Sequence, residues 1–245
     1  MSIEKQSFIS RLTKVFGDNG FSKYLSLEVS ERFLALTERM LEENEKYNLT
    51  AITDPNKIIL NHYADCAALA VRLTKGARIC DIGCGAGFPT LPVAILRPDV
   101  SITAIDSTAK RIAYVEESAR LLGLSNVKAI AMRAEDGGKD NEYREKFDVV
   151  TARAVAEMRV LCELSLPYVK IGGSFMAMKG KNAEFELQGA KKAISMLGGR
   201  DVNLEQITLK SPDEELTHPL IIIKKKEKTP ANYPRPYAQI SKKPL

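Results

Sequence analysis

From Ala77 to the end of the chain, short apolar runs alternate with segments whose apolar residues recur at helical spacing. This pattern constrains the fold more than any other feature of the sequence. It predicts an α/β domain in which a mainly parallel sheet is covered by helices on both faces and binds ligands beyond the carboxyl ends of its strands. The six runs that predict strands are residues 77–82, 101–106, 126–132, 147–152, 172–179 and 219–226.

The residues before Ala77 have a helical pattern instead. Residues 8–16 and 30–49 have apolar side chains at helical spacing, with Ser30 as the predicted N-cap of the second helix. Asp54-Pro55 is a turn signal, and a further helix is predicted to follow it. We therefore predict a helical subdomain over residues 1–60, the sheet domain over 61–228 and a tail over 229–245.

Composition and cysteine usage narrow the class of protein. The chain is 44% hydrophobic, has charges throughout its first residues and contains no apolar run long enough to span a membrane, so we expect a cytoplasmic protein. The four cysteines form no CxxC pair, and the two histidines lie far apart in the sequence. We expect buried, reduced thiols and no metal site.

The excess positive charge is concentrated at the carboxyl end. Seven basic residues and one acidic residue lie between Ile221 and Leu245, among two tyrosines and four prolines, whereas the net charge of the whole chain is +5. Such a tail is either a solvated basic segment or an element that contacts phosphates and offers aromatic rings for stacking.

A glycine-rich turn follows the first predicted strand. Gly83 and Gly85 match the first two glycines of the dinucleotide-binding fingerprint, but Phe88 occupies the position of the third, where close packing of helix and strand requires glycine. The spacing instead suits S-adenosylmethionine, which has no pyrophosphate. Its amino-acid moiety needs close backbone and a nearby carboxylate such as Asp81.

Two later strand ends support the same ligand. Asp106 ends the second predicted strand, where a carboxylate can accept hydrogen bonds from both ribose hydroxyls. Residues 131–136 follow the third strand and place polar groups beside the small Ala134, which suits an adenine edge. Together the three features predict a methyltransferase, with a nicotinamide-dependent oxidoreductase as the less favoured alternative.

The identity of the methyl acceptor is less constrained by the residues. A pyrimidine C5 target needs a nucleophilic cysteine in a loop, but Cys162 lies within a predicted helix. A ribose hydroxyl needs a base, for which Lys179 at a strand end is a candidate. A guanine N7 has a lone pair and no proton, so it needs only positioning. A ribose or small-molecule acceptor therefore remains an alternative to N7.

Several motifs together carry a family resemblance. They are NLTAITDP (48–55), NHYADCAAL (61–69), DIGCGAGFP (81–89), DSTAKR (106–111), AED (134–136), TARAVA (151–156), MKGK (178–181) and the terminal YPR and KKPL. In this order they resemble the bacterial small-subunit ribosomal RNA guanine-N7 methyltransferases, once called glucose-inhibited division protein B. Thr90 stands where that family usually has glycine.

The resemblance implies a class I methyltransferase with a Rossmann-like, mainly parallel seven-stranded sheet and an N-terminal helical extension. It also implies S-adenosylmethionine as the donor and a guanine of the decoding region as the acceptor, in a protein that we expect to be a monomer. The predicted cofactor-binding residues are Asp81, Gly83, Gly85, Phe88, Asp106, Ser107, Thr108, Ala134, Glu135 and Arg153.

Arg153 could contact the carboxylate of the donor, an RNA phosphate or the guanine O6. It is also, with Lys179, a candidate catalytic residue. His62 and Asp65 share a helical face and could orient the helical subdomain or bind substrate. The side chains predicted to contact RNA are Arg111, Lys224, Lys225, Lys226, Arg235, Lys242 and Lys243.

Overall fold

The computed structural model describes residues 3–245 and contains one seven-stranded sheet. The strands are β1 (Arg78–Ile82), β2 (Ser101–Asp106), β3 (Val127–Ala131), β4 (Phe147–Arg153), β5 (Val169–Met178), β6 (Gly199–Lys210) and β7 (Glu215–Lys225). The α-helices are α1 (Lys5–Asp18), α2 (Leu27–Tyr47), α3 (Pro55–Ile58), α4 (Asp65–Ala70), α5 (Thr90–Leu96), α6 (Ala109–Leu121), α7 (Ala134–Gly137), α8 (Met158–Ser165), α9 (Ala183–Met196) and α10 (Tyr237–Lys242).

The strand order in the sheet is β3-β2-β1-β4-β5-β7-β6. The first five strands are parallel, and β7 pairs antiparallel with both β5 and β6. Alternate residues of β1 enter separate cores, since Ile79 packs with the N-terminal helices and Ile82 packs with the cluster that includes residues of α8 and α9. The predicted mainly parallel sheet with helices on both faces is confirmed.

The N-terminal helices share a core with the sheet. Phe33 of α2 lies between Phe16 and Tyr63, with ring centroids 5.9 and 4.4 Å away, and the Tyr63 hydroxyl lies 2.6 Å from Thr37 Oγ1. The helical segment from Pro55 to Ala70, which includes a π-helical turn over Ile59–Ala64, runs through the predicted boundary at residue 60. The helical part is therefore packed directly onto the domain that carries the site.

Two details of the N-terminal part differ from the sequence prediction or refine it. Ser26, and not Ser30, caps α2 by accepting a hydrogen bond from Val29 N, because the helix begins one turn earlier than the apolar pattern indicates. Ser30 is buried inside the helix and donates its hydroxyl to Ser26 O. Asp54 caps α3 by accepting from two backbone amides, and Pro55 occupies the first turn.

Strand β6 was not among the six predicted strands. It is an edge strand that pairs only with β7 in the sheet, and polar and apolar side chains alternate in two short stretches, residues 202–204 and 207–209. A half-exposed edge strand lacks the continuous apolar run that identified the central strands. Strand β7 also begins at Glu215, four residues before the predicted start.

The C-terminal segment, residues 229–245, is docked on the sheet domain. The Arg144 guanidinium donates hydrogen bonds to the carbonyl oxygens of Thr229, Pro230 and Tyr233, at 2.7, 3.2 and 2.8 Å. Ile240 of α10 is completely buried. In the part of the chain that the structure describes, none of the helices is long and apolar enough to cross a membrane.

Lys225 and Arg235 are corrections to the predicted RNA-contacting set. Lys225 is completely buried at the end of β7, and its Nζ donates to the carbonyl oxygens of Leu166 and Leu197, both at 2.9 Å. Arg235 donates from its backbone N and from Nε, both at 2.8 Å, to the buried carboxylate of Glu163. Lys225 is therefore unavailable to an external phosphate, and the guanidinium of Arg235, whose side chain is 21% exposed, is already paired with an internal carboxylate.

Candidate functional site

The glycine-rich turn between β1 and α5 brings backbone against the end of β4. Gly83 has φ +70°, and a Cβ built there would lie 2.7 Å from Val155 Cγ2, so no other residue fits without a shift of that side chain. The amides of Gly83 and Cys84 donate to Ile105 O at 2.7 and 3.1 Å, which ties the turn to β2. A Cβ at Gly85 would meet nothing closer than 3.9 Å, so this part of the turn borders open space.

Asp106 holds the turn from the end of β2. Its Oδ2 accepts a hydrogen bond from Gly85 N at 3.0 Å, and its Oδ1 accepts from Thr108 N at 2.8 Å. Arg111 Nη1 lies 3.7 Å from the same carboxylate. The carboxylate therefore fixes two loops at once and still borders the adjoining cavity.

Asp81 lies beneath the turn and does not reach the cavity. Its side chain is completely buried, and its Oδ2 accepts a hydrogen bond from Thr90 Oγ1 at 2.6 Å. Burial raises the pKa of Asp81 to about 7. The predicted direct contact of Asp81 with a cationic ligand is therefore not supported, and Thr90, which replaces the usual glycine, acts as the partner of this carboxyl group.

The shifted pKa of Asp81 predicts a pH dependence of stability. The folded state binds this proton up to about pH 7, whereas an ordinary aspartate loses it near 3.8. The contribution of Asp81 to the free energy of unfolding should therefore fall as pH rises from 3.8 to 7, by up to about 1.4 kcal/mol per pH unit. Urea unfolding of the wild type and of Asp81→Asn from pH 5 to 8 measures this. The difference between the two proteins should fall up to pH 7 and then level off, and a constant difference would contradict the prediction.

Two adjoining pockets open at the carboxyl ends of the parallel strands. The larger of the two has a cavity volume of about 280 Å³ and lies at the ends of β1, β2, β3 and β4. Its lining residues are Ile82, Gly83, Ile105, Asp106, Ser107, Arg111, Met132, Arg133, Ala134, Glu135, Ala154, Val155, Leu164 and Tyr237. Tyr168 donates its hydroxyl to Ala134 O at 2.6 Å and so fixes the loop after β3. The pocket combines the buried carboxylate of Asp106 with the charged side chains of Arg111, Arg133 and Glu135 and with apolar surface from several elements.

A smaller pocket of about 230 Å³ adjoins the larger one and shares Gly83, Arg111 and Ala154 with it. Its lining residues are Leu49, Thr50, His62, Gly83, Cys84, Gly85, Ala86, Phe88, Arg111, Arg153 and Ala154. The N-terminal helical part thus forms one wall, and the glycine-rich turn separates the two chambers. Two molecules bound side by side would meet at the shared residues.

Arg153 joins three elements around the smaller pocket. Its Nη1 donates to Asp65 Oδ2 at 3.0 Å and to Asn61 O at 3.3 Å, and its Nη2 donates to His62 Nδ1 at 2.9 Å. The guanidinium also lies 5.2 Å from the Phe88 ring centroid. The second carboxylate oxygen of Asp65, Oδ1, lies 2.6 Å from Nε2 of His218 on β7.

The titratable groups of the smaller pocket provide no strong base. Burial, together with the Arg153 guanidinium, lowers the pKa of His62 to about 4, so its imidazole is neutral near pH 7. His62 Nδ1 lies 2.9 Å from Arg153 Nη2, which can only donate, and 3.0 Å from Asn61 O, which can only accept, and its Nε2 lies 3.2 Å from Thr50 Oγ1. Burial raises the pKa of the Cys84 thiol well above its ordinary value.

Most of the predicted cofactor residues surround these two pockets. Gly83, Asp106, Ser107, Ala134 and Glu135 line the larger pocket, and Gly83, Gly85, Phe88 and Arg153 line the smaller one. Thr108 lines neither and contributes its backbone amide to Asp106. The sequence prediction missed Tyr237, Leu164 and the links of Arg153 to Asp65 and His218, because these contacts join residues far apart in the chain.

Lys179 is a further correction. Its Nζ lies 2.7 Å from Glu186 Oε2 and 2.8 Å from Ala156 O, its side chain is only 8% exposed, and it lines neither pocket. An ammonium that is paired in this way stabilises the loop after β4 instead of accepting a proton from a substrate. The predicted role of Lys179 as a base is therefore not supported by its position.

The remaining predicted RNA-contacting residues lie in three separate places. Arg111 is 54% exposed beside both pockets, and Lys242 and Lys243 are exposed on the C-terminal segment. Lys224 and Lys226 lie at the opposite edge, since β7 runs antiparallel to β5, and they contact Ser174 and Asp201.

All four cysteines are buried and free. Within residues 3–245, no three His, Cys, Asp or Glu side chains are grouped so that they could hold a metal ion.

Comparison with known proteins identifies close relatives. Residues 29–217 match the family model described as rRNA small subunit methyltransferase G. The ribosomal RNA small subunit methyltransferase G of Clostridium perfringens strain 13 is 45% identical over 217 residues, covering 88% of this chain and 90% of that protein. The protein of the same name from Clostridium beijerinckii is 42% identical over 240 residues, covering 97% and 99%.

Solved structures share the fold at low sequence identity. A SAM-dependent O-methyltransferase from Thermotoga maritima superposes with a TM-score of 0.54 at 16% identity, covering 77% of this chain and 72% of that one. The TYW2 protein of M. jannaschii, solved in complex with AdoMet, has a TM-score of 0.51 at 17% identity, covering 65% and 73%. These likenesses establish the class of fold.

Proposed function

This chain belongs to the rRNA small subunit methyltransferase G family, and from that membership we propose that it transfers the methyl group of S-adenosylmethionine to N7 of a guanine in small-subunit ribosomal RNA. The larger pocket is the proposed donor pocket and the smaller one the proposed acceptor pocket. The observation that carries the proposal is their junction at Gly83, Arg111 and Ala154, where a donor and an acceptor would meet.

The residues of the donor pocket fit S-adenosylmethionine. Asp106 has a carboxylate that borders the cavity and suits ribose hydroxyls. Open space over Gly85 lets a ligand approach the backbone, whereas a side chain at Gly83 would collide with Val155. Met132, Ala134 and Leu164 supply apolar surface for a planar base. When bound, the cofactor would supply a methyl group carried on a sulfonium sulfur. After transfer that sulfur is part of a neutral thioether.

The acceptor pocket fits an atom that needs no deprotonation. Among the described residues that line it there is no carboxylate, the low pKa of His62 makes its imidazole a weak base, and the Cys84 sulfur is a thiol. The lone pair of guanine N7 forms the bond to the methyl carbon, the electron pair of the carbon–sulfur bond stays on sulfur, and no proton leaves. Arg153 and Phe88 then serve to orient the base, which is what such a transfer requires.

The substrate and the cellular setting extend this proposal. We infer that a monomer acts in the cytoplasm on a guanine of the decoding region, either in free RNA or within a ribosomal subunit. Arg111, beside both pockets, together with Lys242 and Lys243, is the proposed set of phosphate contacts. Lys224 and Lys226 stay weaker candidates because they lie at the far edge of the sheet.

The N7 assignment predicts that methyl transfer depends on the guanine nitrogen. Small-subunit RNA is transcribed with guanosine or with 7-deazaguanosine, which has carbon at that position, and each RNA is tested free and assembled with small-subunit proteins. The guanosine RNA should accept one methyl group, located by mass mapping, and the 7-deaza RNA should accept none. Equal methylation of both RNAs would move the target to another atom, such as a ribose oxygen, and binding of NAD without S-adenosylhomocysteine would overturn the donor.

A further inference from the structure

The donor pocket has a wall that comes from the far end of the chain. Tyr237, the first residue of α10, lines this pocket together with Leu164 of α8. Its side chain is one of the few large aromatic rings that are more than one-third exposed, at 41%. An aromatic ring left open at the mouth of a pocket is available for stacking on a planar ligand.

We propose that Tyr237 lies against the adenine of the cofactor, so that the C-terminal segment is a component of the donor site. The inference rests on the proposed function, since it takes S-adenosylmethionine as the ligand of this pocket. Adenine has a π-face that stacks on tyrosine irrespective of hydrogen bonds. No feature of the sequence marks Tyr237 for this role.

The position of Tyr237 is set by neighbouring anchors. Arg235, two residues earlier, donates from its backbone N and its guanidinium to Glu163, a carboxylate with no exposed surface. Ile240, one helical turn later, is completely buried against the core on the α8 side of the sheet. Residues three apart share a helical face, so the anchor at Ile240 turns the Tyr237 ring toward the body of the protein.

The positions of the lining residues along the sheet assign the ring to the base end of the ligand. Asp106 and Ser107 follow β2 and form the polar end that suits ribose hydroxyls. Ala134 follows β3, the next strand outward in the sheet, and Leu164 comes from α8. Tyr237 lies on the side of Ala134 and Leu164, because α10 and α7 both pack on α8 and α7 begins at Ala134. A planar base between these elements would have its face toward the tyrosine.

Calorimetric titration of the full-length chain with S-adenosylhomocysteine tests the proposal. Tyr237→Ala should weaken binding by about 5- to 100-fold, the range for loss of one stacking contact. Tyr237→Phe keeps the ring and should bind within about twofold of the wild type, as expected if the hydroxyl is not needed. Phe185→Ala is the matched control, because Phe185 is a more exposed aromatic on α9 that does not line either pocket.

A fluorescence measurement covers the case in which the alanine variant does not fold. The chain contains no tryptophan, so Tyr237→Trp introduces a single reporter at the pocket. S-adenosylhomocysteine and adenosine should quench its emission, whereas methionine, which has no adenine, should not. Unchanged emission with S-adenosylhomocysteine bound would overturn the proposal.

The outcomes separate this proposal from the proposed function. If the wild type does not bind S-adenosylhomocysteine, the assignment of the donor fails. If the wild type binds it and Tyr237→Ala binds equally well, only the role of Tyr237 fails. In that second case, a loss of RNA methylation by Tyr237→Ala at saturating cofactor would show that the ring contacts an RNA base instead.

Discussion

Replacement of Asp106 by alanine should weaken the binding of S-adenosylhomocysteine by at least about 100-fold. The carboxylate accepts hydrogen bonds from Gly85 N and Thr108 N, so it holds the glycine-rich turn to the loop after β2. It also borders the donor pocket, where we expect it to accept from the ribose hydroxyls. A hydrogen bond to a charged group contributes about 1.5–3 kcal/mol, so loss of two such bonds to the ligand corresponds to this change in affinity.

Two companion variants sharpen the test of Asp106. Asp106→Asn keeps one acceptor oxygen and should lose less affinity than the alanine variant, because one of the two backbone amides stays bonded. Asp201→Ala is the matched control, because Asp201 is an aspartate of β6 whose side chain is 65% exposed and which lines neither pocket. If Asp106→Ala folds and still binds S-adenosylhomocysteine as the wild type does, the ligand does not use this carboxylate and the donor pocket has been misplaced.

The sequence was most informative where local patterns determine structure. The central strands are continuous apolar runs because both faces of a parallel sheet are covered. The glycine spacing predicted the turn after β1, where Gly83 has a positive φ. The edge strand β6 escaped prediction because its half-exposed residues lack that signal. The cap of α2 was placed one turn late, since Leu27 is exposed and does not belong to the buried stripe.

The candidate site could be predicted only in part, for a similar reason. Asp106 and Ala134 follow strands directly, so topology alone brings them to the ligand edge of the sheet. The basic character of Lys225 and Arg235 suggested contact with RNA, but each binds acceptors contributed by distant residues that the sequence does not place nearby. Asp65, Arg153 and His218 likewise meet only after the helical part packs on the sheet.

Replacement of Arg153 by methionine should reduce methyl transfer by at least about 100-fold while affinity for S-adenosylhomocysteine changes by less than about threefold. The guanidinium orients His62 and lines the acceptor pocket, and a 1 Å misplacement of a reacting group can lower a rate about 100-fold. The substitution also removes the guanidinium from the Asp65 carboxylate, whose side chain is 9% exposed and whose other close polar neighbour is His218 Nε2, 2.6 Å away. Breaking a buried pair in this way should lower the free energy of unfolding by about 3 kcal/mol.

A double-mutant cycle separates the two effects of Arg153. Asp65→Asn removes the charge that Arg153 compensates. The double variant, which combines it with Arg153→Met, should therefore be more stable than the sum of the two single losses predicts, by about 1 kcal/mol or more. Its rate of methyl transfer should be as low as that of Arg153→Met alone. Arg159→Met is the matched control, because Arg159 pairs with Glu157 at the surface, with the two side chains 41% and 38% exposed, and should lose less than about 1 kcal/mol. If the Arg153 variant lost stability but methylated RNA at the wild-type single-turnover rate, Arg153 would only join the helical part to the sheet. If both Arg153→Met and the double variant lose methyl transfer but still bind S-adenosylhomocysteine, the guanidinium acts on the acceptor side of the reaction. In that case restoring the charge balance does not restore the geometry that the acceptor needs.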